Sequence, residues 1–182
     1  MLIRSAESCL VVIDMQERLV PAMQAPARTI RNARTLITAA HELGVPVILT
    51  EQYPTGLGTT VPELAKVAAA AEAQILPKMH FSCMEDRGFA TAFRATGRRQ
   101  AVIAGMEAHI CVMQTAAEMM EQGFEVFVVT DATSSRTLES EKACLDRLQA
   151  CGAGIVTTEM VVFEWLGCAG TDAFRALLPL IK

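Results

Sequence analysis

Six short apolar runs punctuate the chain, each bounded by polar or turn-forming residues: "CLVVID" (9–14), "VPVILT" (45–50), "AQILP" (73–77), "AVIAG" (101–105), "EVFVVTD" (125–131) and "AGIVTTE" (153–159). They are rich in Val and Ile, and their hydrophobicity is continuous rather than alternating. Such runs mark strands covered on both faces, as in a parallel sheet packed between helices.

Between the runs the period becomes that of an amphipathic helix. From Ala27 to Leu43, Ile30, Ala33, Ile37 and Ala40 recur on one face, Arg28, Arg31 and Arg34 fall off it, and Gly44 supplies a stop. From His109 to Gln122, Val112, Met113, Ala116, Met119 and Met120 make a second stripe, ended by Gly123. Further helices are predicted over Val61–Glu72, Asp86–Thr96, Leu138–Cys151 and Thr171–Leu180. Strand and helix alternate throughout, which predicts one three-layer α/β/α domain over residues 1–182, with a six-stranded parallel sheet in the Rossmann-like order 3-2-1-4-5-6. The longest irregular stretch, "TEQYPTGLGTTVP" from Thr50 to Pro62, is a Gly-rich loop after a strand, where binding residues tend to sit.

Composition narrows the partners. The 182 residues are 52% hydrophobic and 20% charged, enough apolar material to enclose a core without disulfides. A formal net charge of −4 with no basic stripe argues against nucleic acid. No apolar run approaches the roughly 20 residues that span a bilayer. The opening "MLIRSAESCLVVIDMQ" lacks the apolar segment and cleavage site of a secretory leader. A cytoplasmic location without a membrane partner is expected. Six cysteines without a C-x-x-C pair read as free thiols. His41, His80 and His109 show no metal-ligand spacing, and dinucleotide, P-loop and G-x-S-x-G motifs are absent, so no metal or cofactor is expected.

Ligands of an open parallel sheet bind beyond the carboxyl ends of its strands. Three reactive side chains fall there: Asp14 closing the first run, Lys78 after Pro77 at the end of the third, and Cys111 just past the fourth, in the first turn of its helix. Singly, each has an ordinary structural explanation as a loop acceptor, a solvated charge or a small buried hydrophobe. Together they suit nucleophilic catalysis. A cation and a helix N-terminus favour a thiolate, and a carboxylate can take the thiol proton and return it to a leaving group. Backbone N–H groups at the helix start can stabilise an oxyanion. The third strand lies about two spacings of ~4.8 Å from the first, a gap that a lysine stem can bridge.

Gln16, Gln52, Tyr53 and His109 are candidates to line the pocket of a small-molecule substrate. Cys83 reads as a second thiol in a loop, and Cys9, Cys144 and Cys151 read as core packing. "DATSSR" (131–136) reads as a strand-to-helix turn whose serines cap the helix near Leu138. "VVFEWLG" (161–167), with the only Trp, reads as an exposed stretch suited to a subunit or partner interface, or else as a strand end folded onto the core.

"VVIDMQ" (11–16), "PKMHFSCM" (77–84) and "GMEAHICVMQTA" (105–116) resemble the isochorismatase-like cysteine hydrolases, and "TEQYPTGLG" and "DATSSR" resemble its branch of isochorismatase-domain-containing proteins. The resemblance runs from about Ser8 to Glu159. It implies a six-stranded parallel sheet flanked by helices, Asp14, Lys78 and Cys111 as a catalytic triad, a non-proline cis peptide at Met106–Glu107, and oxyanion contacts from the N–H groups of Glu107 and Cys111. It also implies a homo-oligomer, a dimer or larger. Nicotinamidases of the family carry a metal site with an Asp-x-His segment after the second strand, where this chain has "TEQY" (50–53), and isochorismatases proper lack the cysteine present here as Cys111. The resemblance therefore points to a metal-independent cysteine hydrolase of a small molecule with an amide, carbamoyl or related C–N bond, acting through a thioester-like intermediate. The alternative is a non-catalytic scaffold or interaction protein that retains the fold.

Overall fold

In a computed structural model describing residues 1–181, the strands are β1 (Ser8–Ile13), β2 (Val47–Gln52), β3 (Gln74–Lys78), β4 (Gln100–Met106), β5 (Glu125–Ser134) and β6 (Gly154–Val156). They form one parallel sheet in the order β3-β2-β1-β4-β5-β6, the order read from the sequence. The helices are α1 (Pro26–Glu42), α2 (Pro54–Leu57), α3 (Pro62–Ala70), α4 (Arg87–Ala95), α5 (Met113–Glu121), α6 (Leu138–Ala150), α7 (Thr158–Leu166) and α8 (Asp172–Leu177). Side chains alternate across a strand, so Leu10 and Val12 of β1 enter one core with α1, α3 and α7, while Cys9, Val11 and Ile13 enter a second with α4, α5 and α6. With both faces covered, the middle of a central strand meets only apolar neighbours, which is why its run is continuously apolar, and polar side chains such as Ser8 and Gln100 sit at the strand starts, hydrogen-bonded to each other.

Three local expectations need correction. β5 runs on through "DATS" to Ser134, because a register shift between Ile103 and Gly105 lets Thr133 and Ser134 pair with Gly105 and Met106. The cap of α6 is accordingly Thr137, whose hydroxyl accepts from the Ser140 N–H at 3.2 Å, and not a serine of that segment. Second, "VVFEWLG" is neither an exposed stretch nor a strand end: it belongs to α7, which starts after the Thr157 cap. Thr158, Val161, Val162 and Trp165 are spaced as the buried face of a helix, and Trp165 Nε1 donates to Ser8 Oγ at 3.1 Å. Third, the region Thr50–Pro62 is mostly ordered backbone: β2 extends to Gln52, α2 follows, and Gln16 bridges Thr60 before α3 begins.

Among the described residues no helix is long and apolar enough to cross a membrane, and no group of three or more His, Cys, Asp and Glu is placed to hold a metal ion.

Candidate active site

The carboxyl ends of β1 and β4 lie close together because Gly105 lacks a side chain. A Cβ there would lie 2.3 Å from the Ile13 carbonyl oxygen, and Gly105 has φ +141°, so only glycine lets β1 and β4 close together at this level. One residue later Asp14 turns out of the sheet with φ 53°, a left-handed conformation that Asp tolerates better than most side chains. Its carboxylate is wholly buried. Thr50 Oγ1 donates to Oδ1 at 2.7 Å, and Lys78 Nζ meets Oδ2 at 2.8 Å. Oδ2 has no aligned hydrogen bond from any described side chain.

Lys78, at the end of β3, crosses to Asp14 with its whole side chain out of solvent. Its ammonium also donates to Gln52 Oε1 at 2.5 Å and, more loosely, to the carbonyls of His80 at 3.1 Å and Phe81 at 3.3 Å. Burial works against this charge, but Asp14 first and then the Cys83 and Cys111 sulfurs more than offset it, so the ammonium is held above its ordinary range.

Cys111 lies in a π-helical turn, Ala108–Val112, that precedes α5. The turn hangs from the Glu107 carbonyl, which accepts from Ile110 N at 3.1 Å and Val112 N at 3.3 Å, and the Met106–Glu107 peptide bond is cis. The cation expected near the thiol is present, but it does not act alone. Burial, then the Asp14 charge, push the Cys111 thiol well above the ordinary thiol range, and Lys78 recovers only part of the shift. The proton is therefore retained on sulfur more readily than in an ordinary thiol, with burial and the Asp14 carboxylate as the causes.

The candidate pocket residues divide. Gln16 and Gln52 do not present free amides to a ligand. Gln16 Nε2 donates to the Gln52 carbonyl at 3.0 Å and the Gly58 carbonyl at 2.7 Å, and its Oε1 accepts from Gln52 N at 2.7 Å. Gln52 Nε2 donates to the Met79 carbonyl at 2.8 Å while its Oε1 faces Lys78. Tyr53 stands at the rim, half exposed, with its N–H on the Lys78 carbonyl at 2.9 Å. His109, half-buried in the same turn as Cys111, pairs Nδ1 with Ser135 Oγ at 2.9 Å.

One neighbour escaped the sequence reading and another was placed in a loop. Thr50 is the first; its signal was its place at the end of the strand beside Asp14. Cys83 is the other. Far from an open loop, it is fully buried in a short turn capped by Ser82, its N–H on Thr115 Oγ1 at 2.9 Å and its Sγ 3.9 Å from Thr50 Oγ1. Burial pushes its thiol up to about 12. Cys151, read as core, is exposed, as is Cys168, because α6 buries Cys144 and Leu148 and turns Cys151 outward at its end.

A family model described as the isochorismatase domain matches residues 8–160. The chain is 36% identical over 169 residues to isochorismatase domain-containing protein 1 of Salmo salar, covering 93% of this chain and 59% of that protein, so it spans about three fifths of that relative. Among solved structures, a protein described as the MAR1 ribonuclease of Caenorhabditis elegans superposes with a TM-score of 0.92 at 34% identity, covering 100% of this chain and 92% of that one. YcaC from Escherichia coli, described as an octameric hydrolase of unknown specificity, superposes with a TM-score of 0.92 at 26% identity, covering 99% and 90%.

Proposed function

We propose that this chain, which belongs to the isochorismatase family, is a cysteine hydrolase that cleaves an amide, carbamoyl or related C–N bond of a small molecule. The observation that carries the proposal is the buried constellation at the strand ends: a buried thiol, Cys111, near a carboxylate, Asp14, that is itself fixed by Thr50 and Lys78.

In the proposed reaction the Asp14 carboxylate takes the Cys111 proton as the sulfur attacks the substrate's carbonyl carbon. The N–H groups of Glu107 and Cys111 stabilise the oxyanion that forms. Asp14 then gives the proton to the departing nitrogen, the C–N bond breaks and a thioester remains on Cys111. A water molecule, deprotonated by Asp14, releases the acid and restores the thiol. Lys78 moves no proton in this scheme. Its three N–H bonds are directed at Asp14, Gln52 and the His80 and Phe81 carbonyls, so it acts as a fixed positive charge that steadies the thiolate as it develops. Tyr53 and His109, at the rim and on the turn, are the side chains best placed to meet the substrate.

The same geometry argues against transferring the ribonuclease description of the nematode protein. The buried cation is fully engaged by protein acceptors, and the chain's net charge is −4, so neither a free donor at the thiol nor a basic surface is offered to a phosphate backbone. The octamer of YcaC supports self-association here, and six unpaired cysteines support a reducing compartment such as the cytoplasm. The test is a panel of small primary amides and carbamoyl compounds assayed with the wild type and Cys111→Ala. Turnover that depends on Cys111 is expected; hydrolysis that survives the substitution undiminished overturns the proposal.

A further inference from the structure

We propose that Gln52, gripped by Gln16, is a positioning residue that holds the Lys78 ammonium in place beside Asp14 and Cys111; the inference rests on the triad reading above. The direction of the Gln52 amide is fixed by its two partners. Its Nε2 donates to the Met79 carbonyl at 2.8 Å, which leaves Oε1 facing Lys78 Nζ at 2.5 Å. The amide cannot turn over without setting an N–H against an ammonium and an oxygen against a carbonyl.

The backbone of Gln52 is fixed as tightly. Gln16 receives the Gln52 N–H on its Oε1 at 2.7 Å and returns Nε2 to the Gln52 carbonyl at 3.0 Å, a two-point amide clamp made by one side chain. A further bond from Gln16 Nε2 to the Gly58 carbonyl at 2.7 Å ties the clamp to the segment after α2. Both glutamines are buried. A clamp of this kind is not needed to join β2 to its neighbours, since the ladder already does so at Thr50 and Gln52. It aims one neutral acceptor at one cation.

The neutrality of that acceptor has a consequence for catalysis. Lys78 already carries one carboxylate partner, and a second would cancel the charge that the developing thiolate needs. An amide oxygen satisfies an ammonium N–H without contributing a net negative charge. With the acceptor removed, a wholly buried ammonium loses a hydrogen bond to its charged form, which weakens that form and with it the stabilisation of the thiolate.

The experiment measures the pH dependence of Cys111 alkylation by iodoacetamide, read by peptide mass spectrometry, in a Cys151→Ser/Cys168→Ser background. It compares the parent, Gln52→Met and Gln16→Leu, both neutral substitutions, with circular dichroism and melting as fold controls. Gln52→Met is expected to move the rising limb of the profile upward by about half a pH unit or more, roughly threefold slower labelling at a fixed pH on that limb. Gln16→Leu, which loosens the clamp from behind, is expected to move it the same way by less, and decides the matter if Gln52→Met does not fold. A lowered melting temperature with an unmoved profile in either folded variant means a structural role only and overturns the inference, while the triad stands. If labelling of Cys111 in the parent is instead indifferent to Lys78→Met, the triad reading fails first and takes this inference with it.

Discussion

Lys78→Met gives the sharpest view of how the site is held. The Lys78 and Asp14 side chains have no solvent exposure and meet at 2.8 Å. Replacing the lysine with a side chain of similar length leaves a carboxylate buried with only the Thr50 hydroxyl as an aligned donor. Breaking a buried pair in this way costs about 3–5 kcal/mol, because the surviving charge is neither solvated nor neutralised. For a domain of this size each kcal/mol corresponds to about 2–4 °C, so the melting temperature is expected to fall by roughly 6–20 °C. Removing both charges, in Lys78→Met/Asp14→Asn, eliminates the unpaired ion and should restore at least about half of the loss. Thermal and urea melts of the wild type, the single and the double variant complete the comparison. A single variant that loses less than about 1 kcal/mol, or a double variant no more stable than the single, would show that the pair is not desolvated as described.

Other expectations follow from the same geometry. Asp14→Asn removes a negative charge that holds the Cys111 thiol up, so alkylation of Cys111 at pH 7 should become faster even as hydrolysis is lost; slower alkylation contradicts the assigned sign. Gly105→Ala sets a Cβ 2.3 Å from the Ile13 carbonyl oxygen and should destabilise by at least about 2 kcal/mol in urea melts, whereas Gly123→Ala, open on all sides, should feel only its positive φ. Cys9, Cys83 and Cys144 have thiols pushed up to about 12, chiefly by burial. Their folded values exceed the unfolded ones, so this contribution is intact below about pH 8.5 and is lost as pH rises toward the folded values, by up to about 1.4 kcal/mol per thiol per pH unit. Urea midpoints should therefore fall steadily from pH 8.5 to 10.5, and a flat profile would count against burial of these thiols.

The parallel sheet was legible because it depends on a pattern that one strand can show by itself: burial on both faces leaves no polar position in "CLVVI" or "AVIAG", while the strand order came from the Rossmann-like arrangement that alternating strands and helices favour. Asp14, Lys78 and Cys111 could be placed on a common rim for the same reason, since a parallel sheet puts every carboxyl end on one side. Less legible was anything decided between elements. Thr50 and Cys83 join the site only through packing of β2 and the turn after β3 against Asp14, and no spacing along the chain announces that. Gln16 and Gln52 have the composition of ligand-binding amides, but their hydrogen bonds are settled by which carbonyls lie opposite them. The forces that keep the proton on Cys111 were not legible, because sequence position conveys the nearby cation and helix, whereas burial and the adjoining carboxylate appear only in three dimensions. α7 was missed because "VVFEWLG" follows a strand run without a break, and Thr157 marks the change with a single capping hydroxyl.

The most direct test of the account follows the covalent intermediate. For a compound of the panel that is turned over, the reaction is quenched in acid during steady state and the protein's intact mass and peptide map are recorded. The account predicts an added acyl or carbamoyl mass on Cys111, present in the wild type and absent in Cys111→Ala together with turnover. An adduct on another residue, or turnover retained in Cys111→Ala, would contradict it.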